Sequence, residues 1–277
     1  MTTLMDGKKL AQEIRTQLKD EVAQNGLVPR LAVILVGDDP ASQVYVRNKQ
    51  RAAEKIGIKT VDHHLPATVG QEALLDLIYQ YNEDPNIHGI LVQLPLPDSI
   101  DEAKITHAIS PQKDVDGFHP INLGHLFMNK PYSLPCTPRG IMELLAHYKI
   151  NPSGKDVVIV GRSNIVGRPM AALMLNADAT VTVTHSRTRN LAQKTRQADI
   201  LIVATGQAQM LDASYIKEGA VVVDVGVNRL EDGSLVGDVD FESMLGKAAY
   251  LTPVPGGVGP MTIAMLMKQT VEFAQRG

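Results

Sequence analysis

The sequence is poor in several things. Its 277 residues include one cysteine, Cys136, no tryptophan, and only 4% aromatic side chains. A single thiol excludes an intramolecular disulfide. With so few aromatics the core has to be mostly aliphatic, which suits buried parallel strands. No apolar run approaches the roughly 20 residues of a membrane-spanning helix. The opening MTTLMDGKKLAQEIRTQLKD also lacks the apolar stretch of a secretory signal. An excess of one charge is missing too: 27 Lys and Arg against 30 Asp and Glu leave a net charge of −3. With no basic run, nothing points to a nucleic-acid or membrane partner. Cytoplasm is the default expectation, with an organellar matrix the alternative. No repeat or low-complexity segment stands out.

What is present is an ordinary globular balance, 44% hydrophobic and 21% charged, in a chain long enough for about two domains. Leu10, Ile14, Leu18 and Val22 recur every four residues after Asp6, so a capped helix opens the chain. LAVILV at 31–36 reads as a buried strand ended by Gly-Asp-Asp-Pro. A helix follows, which Ser42 could cap and Gly57 end. Next come a polar strand IKTVDHHL, a helix over 70–82, a strand IHGILVQL and a helix near 101–109. The stretch 111–137 is rich in Pro, Gly and Asn and reads as irregular, and Thr137-Pro138 looks like the start of a helix. A second series then runs DVVIV, TVTVTH, DILIVATG, AVVVDVG and AAYLTPV. Strand–helix alternation predicts an α/β fold of two parallel-sheet domains. The boundaries fall at 1–136 plus 260–277 and at 137–259, the helix after Pro260 packing back on the first domain.

The key turn of the second half is VVIVGRSNIVGRPMA. A strand ends at Gly161, and Gly167 opens an apolar helix whose free N–H groups could meet a pyrophosphate. The pattern is G-x-S-x-x-x-G, a looser signal than G-x-G-x-x-G, and a plain strand–helix turn would look similar. The next strand discriminates between cofactors. An NAD site usually ends it with an acid for the ribose 2′-OH. Here TVTVTH runs into Ser186-Arg187-Thr188, and Arg162 lies in the glycine loop. Donors and positive charge suit a 2′-phosphate, so NADP is expected over NAD.

In the first half, unusual polar residues sit at strand ends and turns. Tyr45 and Lys49 are four apart and share a helical face. Gln93 ends ILVQ, and Asp114 and Asp116 lie in KDVDG. Each has a plain alternative: a surface lysine, a half-buried tyrosine, a strand-end amide, an acid capping a turn.

The blocks YVRNKQ, VQLPLP, PQKDVDGFHP, PCTPRG, VIVGRSNIVGRP, DVGVNR and TPVPGGVGPMTIAML stand in one order. From about residue 5 to the C-terminus, the chain resembles the bifunctional methylenetetrahydrofolate dehydrogenase/methenyltetrahydrofolate cyclohydrolase family. The resemblance implies an N-terminal catalytic domain, a C-terminal Rossmann-like NADP-binding domain and a cleft between them. It implies NADP-dependent oxidation of 5,10-methylenetetrahydrofolate, then hydrolysis to 10-formyltetrahydrofolate at a shared site, chemistry that serves one-carbon metabolism and purine biosynthesis. Lys49 matches the family's catalytic lysine, with Tyr45 in the same motif. Gln93 matches its lysine-binding glutamine, and Asp116 its pterin-binding aspartate. Pro255, Gly256 and Gly257 would line the folate site, and Gly161, Arg162, Ser163, Ser186 and Val227 would contact NADP. A homodimer is implied too.

Other readings compete. Short-chain dehydrogenases also use Y-x-x-x-K, but there the glycine loop comes first. A nucleotide-sensing module would not need Lys49, Gln93 and Asp116 together. A monofunctional dehydrogenase with impaired cyclohydrolase is the remaining alternative. His63-His64 lack partners at ligand spacing and read as non-metal. Cys136, in PCTP, reads as a packed residue at the domain junction.

Overall fold

The computed structural model describes residues 1–276. The chain opens with β1 (Thr3–Leu4) and α1 (Gly7–Gln24), then β2 (Arg30–Val36), α2 (Pro40–Ile56), β3 (Lys59–Leu65) and α3 (Gln71–Glu83). It continues through β4 (Gly89–Val92), α4 (Glu102–Ala108), α5 (Pro120–Phe127) and α6 (Cys136–His147). The second half runs β5 (Asp156–Val160), α7 (Gly167–Asn176), β6 (Thr180–Thr184), α8 (Leu191–Thr195) and β7 (Ile200–Val203). Then come β8 (Val221–Asp224), β9 (Asn228–Arg229), β10 (Leu235–Val236), α9 (Phe241–Met244), β11 (Tyr250–Leu251) and α10 (Val258–Arg276). Among the described residues no helix is long and apolar enough to cross a membrane.

Two compact units share this chain. One takes Gln12–Cys136 and Ile263 to the C-terminus; the other takes Met1–Ala11 and Thr137–Thr262. The first eleven residues, expected with the first series of strands, thus go with the second. The reason is backbone pairing: β1 lies parallel to β11, with Thr3 opposite Tyr250 and Leu4 opposite Leu251.

The first unit holds a parallel sheet in the order β3-β2-β4. β4 and, beyond its first residue Arg30, β2 are apolar and form its buried part, and Leu74 and Ile78 of α3 join Ala32, Ile34 and Ile90 in its core. From β2 the chain goes first to one neighbour and later to the other, so the carboxyl end of β2 is a switch point where such sheets bind ligands. Local details depart from expectation. The cap of α2 is Asp39, which accepts from the Ser42 amide at 2.7 Å, with proline in the first turn. Ser42 therefore lies inside the helix. Gly57 ends α2 in the left-handed region at φ 96°. The supposedly irregular 111–137 contains α5, capped by His119, whose Nδ1 accepts from the Ile121 amide at 3.1 Å. α6 starts at Cys136, one residue before the expected cap Thr137, and α10 starts at Val258, two before Pro260.

The second unit holds a six-stranded sheet in the order β1-β11-β8-β7-β5-β6, all parallel. Its core stacks Val158, Val160, Leu201, Val203, Val222 and Leu251. β5 is the switch strand, with β6 on one side and β7 on the other. The turn after β5 is thus where a doubly wound fold places a dinucleotide.

Candidate functional site

In the first unit the site grows from the inward stripe of α2. Ser42, Val46, Lys49, Ala53 and Ile56 are its buried residues at helical spacing, joined by Ala52. Lys49 is a charged residue where an apolar one would normally pack, 8% exposed. Such a group needs a polar partner. Its Nζ donates to Gln93 Oε1 at 3.0 Å. Gln93 follows β4 directly, its amide donating to the Ile34 carbonyl at 2.8 Å and its Nε2 to the Leu94 carbonyl at 2.6 Å. Tyr45, one turn before Lys49, is 44% exposed and stands at the rim instead of in the core.

The two acids of KDVDG separate by role. Asp114 is buried, and its carboxylate accepts from the amides of Gly117, Phe118 and His119 at 3.0, 3.2 and 2.8 Å and from Asn122 Nδ2 at 2.8 Å. Burial pushes its carboxyl up, and these donors pull it back. It is the turn's anchor, the plain reading of an acid there. Asp116 has no such donors among the described residues. Burial pushes its carboxyl up to about 6; nearby Lys49 works against that rise and Asp114 adds to it. Both acids lie on the wall of a small hollow whose other sides include Ile90, Val92, Leu94 and Phe118. An uncommitted carboxyl, a buried amine and an exposed phenol are thus gathered at one end of one sheet.

In the second unit the glycine turn after β5 is built by exclusion. Gly161 has φ 129°, and a Cβ there would meet the Ala204 carbonyl oxygen at 2.3 Å. A Cβ on Gly167 would meet the Gly161 oxygen at 2.3 Å. Ser163 Oγ accepts from the Val166 and Gly167 amides at 3.2 and 3.4 Å, bracing the turn into α7. Val166, at the start of α7, offers no side-chain cap. Arg162, Ser186, Arg187 and Val227 are exposed. The Arg187 amide donates to His185 Nδ1 at 3.2 Å, shaping the turn after β6. Glycines that admit the backbone and nearby exposed arginines fit a phosphorylated dinucleotide.

Two acids that the sequence did not flag shape this end of the sheet. Asp224 accepts from the amides of Gly226, Asp238 and Val239 at 3.0, 2.9 and 3.0 Å. Asp238 accepts from the amides of Thr205, Gly206 and Gln207 at 2.6, 3.0 and 3.0 Å and from Asn228 Nδ2 at 2.9 Å. Together they pin the loops after β7 and β8, including the turn that presents Val227. Their signal was glycine beside acid: a Cβ on Gly226 would meet Asp238 Oδ1 at 2.1 Å, and one on Gly237 would meet Asp224 Oδ2 at 1.7 Å.

Pro255, Gly256 and Gly257 form a turn before α10. Gly256 has φ 113°, its carbonyl accepts from the Lys8 amide at 2.8 Å, and a Cβ on Gly7 would strike the Gly257 oxygen at 1.9 Å. The candidates set aside on sequence grounds have local partners. His63 bonds the Tyr81 hydroxyl, His64 lies 3.2 Å from Asp38, and buried Cys136 donates to the Val115 carbonyl at 3.1 Å.

Comparison with known proteins decides what this arrangement belongs to. Residues 5–116 match the catalytic-domain model of tetrahydrofolate dehydrogenase/cyclohydrolase, and residues 135–277 match its NAD(P)-binding-domain model. The chain belongs to the tetrahydrofolate dehydrogenase/cyclohydrolase family. Full-length relatives agree. The bifunctional protein FolD of Ligilactobacillus salivarius is 62% identical, the match covering 100% of this chain and 98% of the relative. The crystal structure of the bifunctional enzyme from Campylobacter jejuni is 54% identical with a TM-score of 0.98, covering 100% of this chain and 99% of that one. A Trypanosoma brucei dehydrogenase–cyclohydrolase, solved with NADP cofactor and an inhibitor, is 41% identical with a TM-score of 0.95, covering 99% and 98%. The chain is therefore an enzyme of folate one-carbon chemistry with the family's two activities. Full-length agreement with bifunctional relatives disfavours a monofunctional dehydrogenase.

Proposed function

We propose that the chain oxidises 5,10-methylenetetrahydrofolate with NADP and hydrolyses the resulting 5,10-methenyl cation to 10-formyltetrahydrofolate. Lys49, Gln93, Tyr45 and Asp116 are the residues proposed to do so. The observation that carries this reading is the buried Lys49–Gln93 pair, 3.0 Å from nitrogen to oxygen, beyond the end of β4. In hydrolysis, the Lys49 amine takes a proton as water adds to the one-carbon bridge. The resulting ammonium returns that proton to the ring nitrogen as the carbon–nitrogen bond breaks, and the hydroxyl proton leaves to solvent as the formyl carbonyl forms. Gln93, being uncharged, orients the amine without competing for its proton. Asp116 as carboxylate accepts the parallel N–H donors of the pterin, and Tyr45 orders the ring against the lysine. Contact of Pro255, Gly256 and Gly257 with the flat ring is also proposed, on the family motif.

Oxidation asks mainly for placement of two bound molecules. NADP, when bound, supplies the hydride acceptor. Gly161 and Gly167 admit its pyrophosphate, Ser163 shapes the turn, Ser186 and Arg187 receive the 2′-phosphate with Arg162, and Val227 offers an apolar contact. A homodimer and a cytoplasmic location complete the proposal; sedimentation at micromolar concentration tests the first and cell fractionation the second.

Replacing Lys49 by Met and assaying both reactions tests the core of it. Hydrolysis should fall by about two orders of magnitude or more, the usual range for removing a proton-transfer group. Hydrolysis surviving at the wild-type rate would refute the assignment. For the cofactor, kcat/KM with NADP should exceed that with NAD, and the reverse preference overturns the reading of Ser186-Arg187.

A further inference from the structure

We propose that Gln269, on α10, is a positioning residue that aims Asp116 by holding the peptide in front of it. The inference rests on the reading of Asp116 as the pterin-binding acid. Gln269 is buried. Its Nε2 lies 2.7 Å from the Val115 carbonyl, 2.9 Å from Ser133 Oγ and 3.1 Å from the Leu134 carbonyl, and its Oε1 accepts from the Leu134 amide at 3.1 Å. The Val115 carbonyl belongs to the peptide plane whose nitrogen is that of Asp116. Fixing that oxygen fixes where the Asp116 side chain leaves the backbone.

The rest of the segment is held from its other sides. Ser133 Oγ donates to the Asp114 carbonyl at 2.7 Å. The Asp114 carboxylate holds the three amides after Asp116. Val115 fills the space a side chain on Gly89 would need, its Cγ1 lying 2.3 Å from such a Cβ. Gly117 passes so close to Leu134 that a Cβ would meet its carbonyl carbon at 2.3 Å. Asp116 itself takes no hydrogen bond among the described residues, so its direction is set by this backbone frame. Gln269 is the side chain that ties the frame, at both Val115 and Leu134, to a long helix. These bonds go to Val115, Ser133 and Leu134, so its effect on catalysis would be indirect.

The test is steady-state kinetics of the full chain carrying Gln269→Leu, Asp116→Asn, and both. Of the contacts Q269L removes, the one to the Val115 carbonyl bears on Asp116, so the folate KM should rise roughly three- to tenfold, the scale of one buried hydrogen bond. The KM for NADP should stay within about twofold, because a general loss of folded protein lowers kcat without selecting one substrate. In the Asp116→Asn background Q269L should add nothing, since the group it aims is already gone. An unchanged folate KM in Q269L, or effects that multiply in the double variant, overturns the inference alone. An Asp116→Asn enzyme with unchanged folate KM overturns the reading of the site and this inference with it. If Q269L yields no folded protein, Ser133→Ala decides: a raised folate KM with unchanged NADP KM supports the frame, and no change in either refutes it.

Discussion

Replacing Asp116 by Asn should strengthen the ligand-free fold while weakening the enzyme. Burial lifts this carboxyl from 3.8 to about 6. The shift is about two pH units, and at 1.36 kcal/mol per unit the charged form costs the folded protein at most about 3 kcal/mol. The residue is only partly buried, so about 1–2 kcal/mol is the working expectation after screening. Asn keeps the shape without the charge, and no donor among the described residues is abandoned by the change. The sign follows from which state ionises first. Below the ordinary value of 3.8 both folded and unfolded chains hold the proton. As pH rises toward about 6 the unfolded chain ionises first, so the wild type loses stability; above it the loss is complete. The variant escapes that loss. Urea midpoints of wild type and variant, compared at about pH 7.5 and about pH 4.5, should show the gain at the higher pH and a smaller one at the lower. Folate KM at neutral pH should rise at least about tenfold, as expected for a lost charge-assisted pair. A variant no more stable than wild type at neutral pH, or a gain equal at both, refutes the burial argument.

Asp224 is also lifted to about 6, yet Asp224→Asn should destabilise by about 2–3 kcal/mol, because three backbone amides lose part of their acceptor; a thermal melt distinguishes the two cases. Gly161→Ala should raise NADP KM at least about tenfold and leave folate KM near wild type, because φ 129° and the Ala204 oxygen at 2.3 Å leave a Cβ no room without moving the turn. Arg187→Gln should narrow the NADP-over-NAD preference in kcat/KM, and raised salt should narrow it further in the wild type. Asp39→Ala should lower the urea midpoint, the loss of one helix cap.

Much of the sheet structure is readable because its strands carry short aliphatic runs such as LAVILV and VVIV, the pattern of buried parallel strands. β1 was not, because two residues carry no period and its partner β11 is at the other end of the chain. α5 hid behind a proline that starts it and a histidine that caps it, both of which read as loop composition. Within the site, Lys49 and Gln93 were placed by strand-end position and family motif, and they meet. Asp114 and Asp116 could not be told apart by spacing; hydrogen bonds separate them. Asp224 and Asp238 had only the neighbouring glycines Gly226 and Gly237 as a signal, because an acid that serves backbone amides otherwise looks in sequence like an acid that serves water. Ser42 reads as a cap in sequence because Asp39, the cap in the fold, sits in a run that also ends a strand.

The interleaving of the chain has a consequence for its synthesis. The sheet that begins with Thr3 gains that strand's neighbour only when Tyr250 and Leu251 have been made. The unit built on Gln12–Cys136 likewise awaits Ile263 onward. Domains usually mature in order as they leave the ribosome. Here the six-stranded sheet lacks β11 until Leu251 is made, and the other unit lacks its last segment until Ile263 onward is made, so a chain stalled before Tyr250 leaves both units incomplete at once. Residues from Tyr250 onward contribute to both units. Truncation before Tyr250 should therefore be read out as aggregation during translation rather than as an enzyme missing one activity.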